Sequence, residues 1–213
     1  MSSMRPAALV IACGALAREI AALRRLNDWP HVDIQCLPPE LHNHPERIPA
    51  AVGTAIRAAR SRYAQIFVAY ADCGTGGRLD ALLQSENVER LPGAHCYEFF
   101  ATADTFGELC EQEPGTFYLT DFLVRHFDRL VVRTLGIDVH PELTAEYFRN
   151  YRRLIYLVQE YRQEAVDEAA RIAARLGLQF EHRLTGYGDL ETGLVRAMAA
   201  PREQPIKWTA WPR

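Results

Sequence analysis

No stretch of this sequence approaches the ~18 uninterrupted apolar residues that a membrane span needs, so no membrane segment is expected. Lysine is nearly absent: Lys207 stands alone among 24 basic residues. The glycine-rich turn Cys73-Gly74-Thr75-Gly76-Gly77 therefore has no lysine beside it, and it matches neither GxGxxG nor GxxxxGK[ST], which weakens a nucleotide reading. No GxSxG or HExxH occurs, the cysteines do not come in CxxC pairs, and Asp138-Val139-His140 is followed by Leu143 where a cobalamin-binding DxHxxG motif would have glycine. An excess of charge is missing as well. The formal net charge is −3, with no electrostatic pull toward nucleic acid or an anionic membrane. There is no internal repeat, low-complexity tract or linker. The opening apolar run is broken by Arg18 and Glu19 and has no small-residue cleavage site, so it does not read as a signal peptide. Five cysteines, an odd number, argue against a disulfide framework. A cytoplasmic protein with reduced thiols is expected.

What is present is a regular alternation of short apolar runs and helical stretches. Residues 7–13, 32–37, 65–70, 88–91, 116–120, 153–158 and 178–184 read as strands. Helices are expected over residues 14–26, 45–62, 79–84, 95–103, 122–135, 142–151, 163–176 and 190–200, with Pro45 in a first turn and Gly177 as a stop. Strands spaced by helices signal βαβ units, and continuous apolar strands signal a sheet covered on both faces. The expected fold is α/β: a doubly wound, mostly parallel sheet with helices on both faces, Rossmann- or flavodoxin-like. At 213 residues the chain reads as a single domain, with sub-halves over 1–120 and 150–200 divided by the helical stretch 121–152. The tail from Pro201, with Trp208 and Trp211, has no readable pattern.

On that reading Cys13 ends strand one, His42 follows strand two, Cys73 follows strand three, and His95 and Cys96 follow strand four. All five fall at the carboxyl edge of a parallel sheet, where ligands bind in open α/β folds. In a flavodoxin-type order strands one, three and four are neighbours, ~5 Å apart, so Cys13, Cys73 and Cys96 could converge. Helix starts beside them are expected to lower thiol pKa values. The bland alternative is that each is a small buried hydrophobe, which is the reading for Cys36 and Cys110. His44 and His126 read as solvated, and the arginines and tyrosines of 147–153 as a solvated helix face. Gly74, Gly76 and Gly77 are expected to bring backbone close to a bound group. Tyr187, between Gly186 and Gly188, is expected to close over the cysteine site, with Asp189 as the N-cap of the last helix.

The segments IACGALAREI, LPPELHNHPERIP, YADCGTGG, PGAHCYEF, PGTFYLT, RLIYLV and LTGYGDLETGL together resemble an uncharacterised bacterial and archaeal family known as domain of unknown function 1638, over roughly residues 7–195. That family usually reads Tyr-Gly-x-Cys-Gly at the third-strand turn, where this chain has Ala71, and His-Asp-Cys after strand four, where this chain joins His95 directly to Cys96. The resemblance implies an association with corrinoid-dependent methyl transfer.

Three functions remain open. The first is a metal or iron–sulfur site of Cys13, Cys73 and Cys96, with His42 or His95 as a fourth ligand. Three thiolates and an imidazole suit zinc, and three thiolates with an open position suit a [4Fe–4S] cluster. Such a site could be catalytic or serve a one-carbon methyl-transfer partner. The second is a metal-free enzyme with Cys73 or Cys96 as nucleophile, His95 or His42 as base, and the glycine-rich turn as oxyanion donor. The third is a non-enzymatic accessory protein that holds a small ligand or a partner protein in the same pocket. A homo-oligomer is compatible with all three.

Overall fold

The computed structural model describes residues 8–199, so the start of the expected first strand at Ala7 and the tryptophan-bearing tail lie outside the described residues. The fold is α/β with two mostly parallel sheets, which lie in two compact units: the described residues up to Cys96 together with those from Leu190, and Tyr97–Asp189.

In the first unit the strands are β1 (Ala8–Cys13), β2 (Val32–Leu37), β3 (Gln65–Ala69) and the two-residue β4 (Glu89–Arg90), in the order β2-β1-β3-β4. This is the expected flavodoxin-type order, with every pair parallel. A 3-10 turn at Gly14–Leu16 leads into α1 (Ala17–Leu26), and 3-10 turns at Pro39–Asn43 and Pro45–Arg47 lead into α2 (Ile48–Ala59). The helix α3 is Arg78–Glu86. Leu9, Val10, Ile11 and Ala12 of β1 are all buried, as a strand covered on both faces requires.

The second unit holds β5 (Thr116–Thr120), β6 (Arg153–Val158) and β7 (Gln179–Leu184), parallel and in that order. Here the expectation is corrected: β5 pairs with β6 in register from Thr116↔Arg153 to Thr120↔Leu157, so the stretch 121–152 is a crossover within one sheet and separates nothing. Strand β4 offers little template for a fifth strand, because it is two residues long and Pro92 beyond it lacks an N–H. The helices of this unit are α4 (Cys96–Ala101), whose first residue belongs to the first unit, α5 (Ala103–Gln112), α6 (Asp121–Phe127), α7 (Leu143–Phe148) and α8 (Gln163–Leu176); α9 (Gly188–Ala199) belongs to the first unit from Leu190 on. The helix α5 was not expected, and it takes in Cys110. The period of two divides this sheet's core. Leu119, Leu154, Tyr156 and Val158 join one apolar cluster with residues of α6 and α8, while Tyr118, Ile155 and Leu157 join another with Ala101 and Leu109. Gly177 ends α8 with φ +71°, as expected of a glycine stop. Between Asp128 and Val132 the helix after α6 widens into a π turn. Among the described residues no helix is long and apolar enough to cross a membrane.

Candidate functional site

The register β1–β3 pairs Ala12 with Ala69, so Cys13 and Tyr70 occupy the next rung at the carboxyl edge. After Tyr70 the chain turns sharply: Cys73, Gly74, Gly76 and Gly77 all have positive φ, between +50° and +82°. Three of these four are glycines, which adopt the left-handed region without strain, and Cys73 is the costly exception. Asp72 holds the turn together. Its carboxylate accepts hydrogen bonds from the Thr75 hydroxyl, from Gly76 N at 3.1 Å and from Gly77 N at 3.0 Å. The turn is also pinned to the segment before α4, because Asp72 N donates to Gly93 O and Cys73 N to Ala94 O, at 3.0 and 2.9 Å. That segment is fixed in turn by Arg90, whose guanidinium donates to Leu91 O and Gly93 O and forms a bidentate pair with Asp80. Gly14 lets the end of β2 come down over the same edge, since a Cβ there would stand 2.9 Å from Leu37 O and Pro39 Cδ.

The result is a buried cysteine, Cys73, and a half-buried one, Cys13, with a buried phenol, Tyr70. Burial pushes the Cys73 thiol up to about 12, and the neighbouring Cys13 adds to the shift. Burial likewise raises Cys13, against the Ala15 backbone N–H and the Tyr70 hydroxyl, which act in the other direction. The expected lowering by helix starts is therefore overturned: the backbone N–H contributes, but loss of water outweighs it. Tyr70 is raised by burial first and then by Cys13 and Cys73. Its Oη faces Cys13 but is buried without a partner of hydrogen-bond geometry.

His42 lies in the 3-10 turn after β2 on an exposed stretch, yet enough of the chain surrounds it that desolvation lowers its pKa, with His95 as the second cause. These two histidines are thus electrostatic neighbours. Cys96 is the first residue of α4 and half-buried. Among the described residues no three His, Cys, Asp or Glu side chains are placed to hold a metal ion together. What the structure brings together is two pairs: Cys13 with Cys73, and His42 with His95.

Tyr187 belongs to the second unit, where its hydroxyl donates to Glu160 Oε1 at 3.2 Å. Asp189 does not stand before α9 as its N-cap; it lies inside that helix, and its carboxylate accepts from Ala103 N in the first turn of α5. Cys36 lies in β2 and is exposed, which does not fit a core role, whereas Cys110 is half-buried, with its sulfur 3.7 Å from Tyr118 Oη. His44 is exposed beside Glu46, but His126 is half-buried against the Phe122 ring. Arg153 is not on a solvated helix face: it begins β6 and donates to Thr116 Oγ1 and Leu109 O. No disulfide joins any of the five cysteines.

Sequence reasoning missed Tyr70, Asp72 and Arg90. Asp72 was readable as the acceptor of an Asx-type turn ahead of three glycines. Tyr70 and Arg90 carried no local signal, because their partners are distant in the chain.

Neither a search of curated proteins nor one of solved structures finds a match. A family model described as protein of unknown function (DUF1638) matches residues 36–194. That span takes in Cys73, Cys96, both histidines of the second pair and the whole second unit, and so the chain belongs to the DUF1638 family.

Proposed function

We propose that this protein holds a thiophilic metal centre, zinc or a [4Fe–4S] cluster, on the thiolates of Cys13 and Cys73. The observation that carries the reading is that Cys13 and Cys73, from separate strand ends, are electrostatic neighbours whose desolvation favours the neutral thiol at both. A cation supplies the missing compensation, since metal binding expels the thiol protons. The same desolvation works against a metal-free nucleophile, which must be a thiolate near neutral pH. Completing a coordination sphere requires a third donor, for which Cys96, His42 and His95 stand at the same edge; a small movement of the segment before α4 or a change of rotamer would be needed. The unpartnered Tyr70 hydroxyl is then a donor toward a thiolate. This centre works in a reducing compartment, the cytoplasm, and serves one-carbon methyl transfer either as catalyst or as an accessory to a partner.

Metal and acid-labile sulfide analysis of protein purified anaerobically tests this, with Cys13→Ser and Cys73→Ser compared at equal far-ultraviolet circular dichroism. About one centre per chain is expected in wild type and none in either variant. Wild-type protein that stays metal-free after incubation with Zn²⁺, and separately with iron and sulfide, overturns the proposal.

A further inference from the structure

The second unit contains a groove that the thiol site does not use. It has a volume of about 670 Å³ and runs between α8 on one side and α6 with its π turn on the other. Arg125, Arg129 and Arg133 line one wall at intervals of four residues. This wall is not a regular helix: His126 departs from helical geometry, and a π turn, a feature frequent at functional sites, lies between Asp128 and Val132. The other wall carries Arg162 at the N-cap of α8, then Arg171 and Arg175 one turn apart. The three acids of the groove are Asp128, Glu164 and Glu168, which leaves a formal excess of three positive charges in a chain whose net charge is −3. This concentration is therefore local and not a consequence of a basic composition. Arg175 pairs with Asp128 at 3.0 Å and Arg171 with Glu168 at 2.6 Å. Both pairs are exposed, so an incoming anion displaces them at little cost.

We infer that this groove binds a small molecule carrying two or more linked phosphates. The guanidinium fork matches a phosphate bidentately and stays charged at any working pH. Six guanidinium groups along two walls of one groove are more than a single phosphate can engage. The volume is that of a site for a cofactor-sized molecule. Val124, Phe127 and Ile172 supply an apolar floor for the rest of such a ligand.

The test is isothermal titration of the full chain with sodium tripolyphosphate at fixed ionic strength. The variants are Arg133→Glu/Arg162→Glu and, as a control with the same charge change elsewhere, Arg18→Glu/Arg47→Glu. All four positions are exposed. Wild type and the control are expected to bind alike, and the groove variant at least about tenfold more weakly. Should the double variant not fold, as judged by circular dichroism, Arg133→Gln is expected to lose part of the affinity in its place. Absence of binding overturns the proposal, as does binding kept by the groove variants or lost equally by the control. Preference for a poly-glutamate peptide over tripolyphosphate also overturns it, in favour of an acidic protein partner.

Discussion

Replacing Cys73 by alanine removes a buried thiol whose pKa lies far above its ordinary value, and the consequence is a change in how stability depends on pH. Burial moves this thiol from 9.0 to about 12, a difference worth on the order of 4 kcal/mol. The folded-state value is raised, so the neutral thiol is the form that folding favours. Its contribution is fully present below the unfolded value near 9.0 and is lost as pH rises toward the folded value. In that window the unfolded chain has released the proton and the folded chain has kept it. Stability of the metal-free protein then falls by about 1.4 kcal/mol per pH unit on account of this group. The buried Tyr156 titrates at high pH as well, but Cys73 is not among the causes of its shift, so it contributes equally to wild type and Cys73→Ala and cancels in the difference. The assay is urea unfolding of both proteins at a series of pH values from about 8 to about 11. The difference in stability is expected to shift by about 2 kcal/mol in favour of the variant across the upper two units of that range. Parallel curves would refute the reasoning, because they would mean that Cys73 is solvated enough to ionise freely.

Three further outcomes follow from the same geometry. Tyr70→Phe removes a buried hydroxyl that has no partner of hydrogen-bond geometry; unfolding of the metal-free protein is expected to be unchanged or harder by up to ~1 kcal/mol, and a clear loss of stability would show that the hydroxyl is paired. Asp121→Asn places an amide where a buried carboxylate accepts from Tyr156 Oη at 2.7 Å and from the Gln159 and Glu160 backbone N–H groups at 3.1 Å, and denaturant titration is expected to show a loss of about 2–3 kcal/mol. Gly188→Ala drives a Cβ into the carbonyl oxygens of Phe99 and Phe100 at φ +48°, and the thermal midpoint is expected to drop by several degrees, from a cost of at least ~2 kcal/mol; a midpoint within a degree of wild type would show that α9 starts elsewhere.

The sequence by itself determined the elements and the edge. Strands β2, β5 and β6 and the helix α8 have the limits that hydrophobic periodicity sets, because each is bounded by proline, glycine or a charged turn that can be read without partners. A parallel sheet places the ends of its own strands at one rim, so Cys13, Cys73, Cys96 and the two histidines could be assigned to the rim of the first sheet from residue order alone. Tertiary structure decided what that order leaves open. Which sheet receives β5 depends on a pairing with β6 over thirty residues away, and local pattern carries no information about it. The expectation of lowered thiol pKa values failed for a related reason. A helix start acts over one turn and is visible in sequence, whereas desolvation is the sum over all surrounding chain and exists only once the fold has formed around the thiols. The arginine groove is the same case again. Arginines at 125, 129 and 133 and those at 162, 171 and 175 look like solvated helix faces until α6, its π turn and α8 bring the two rows to face each other.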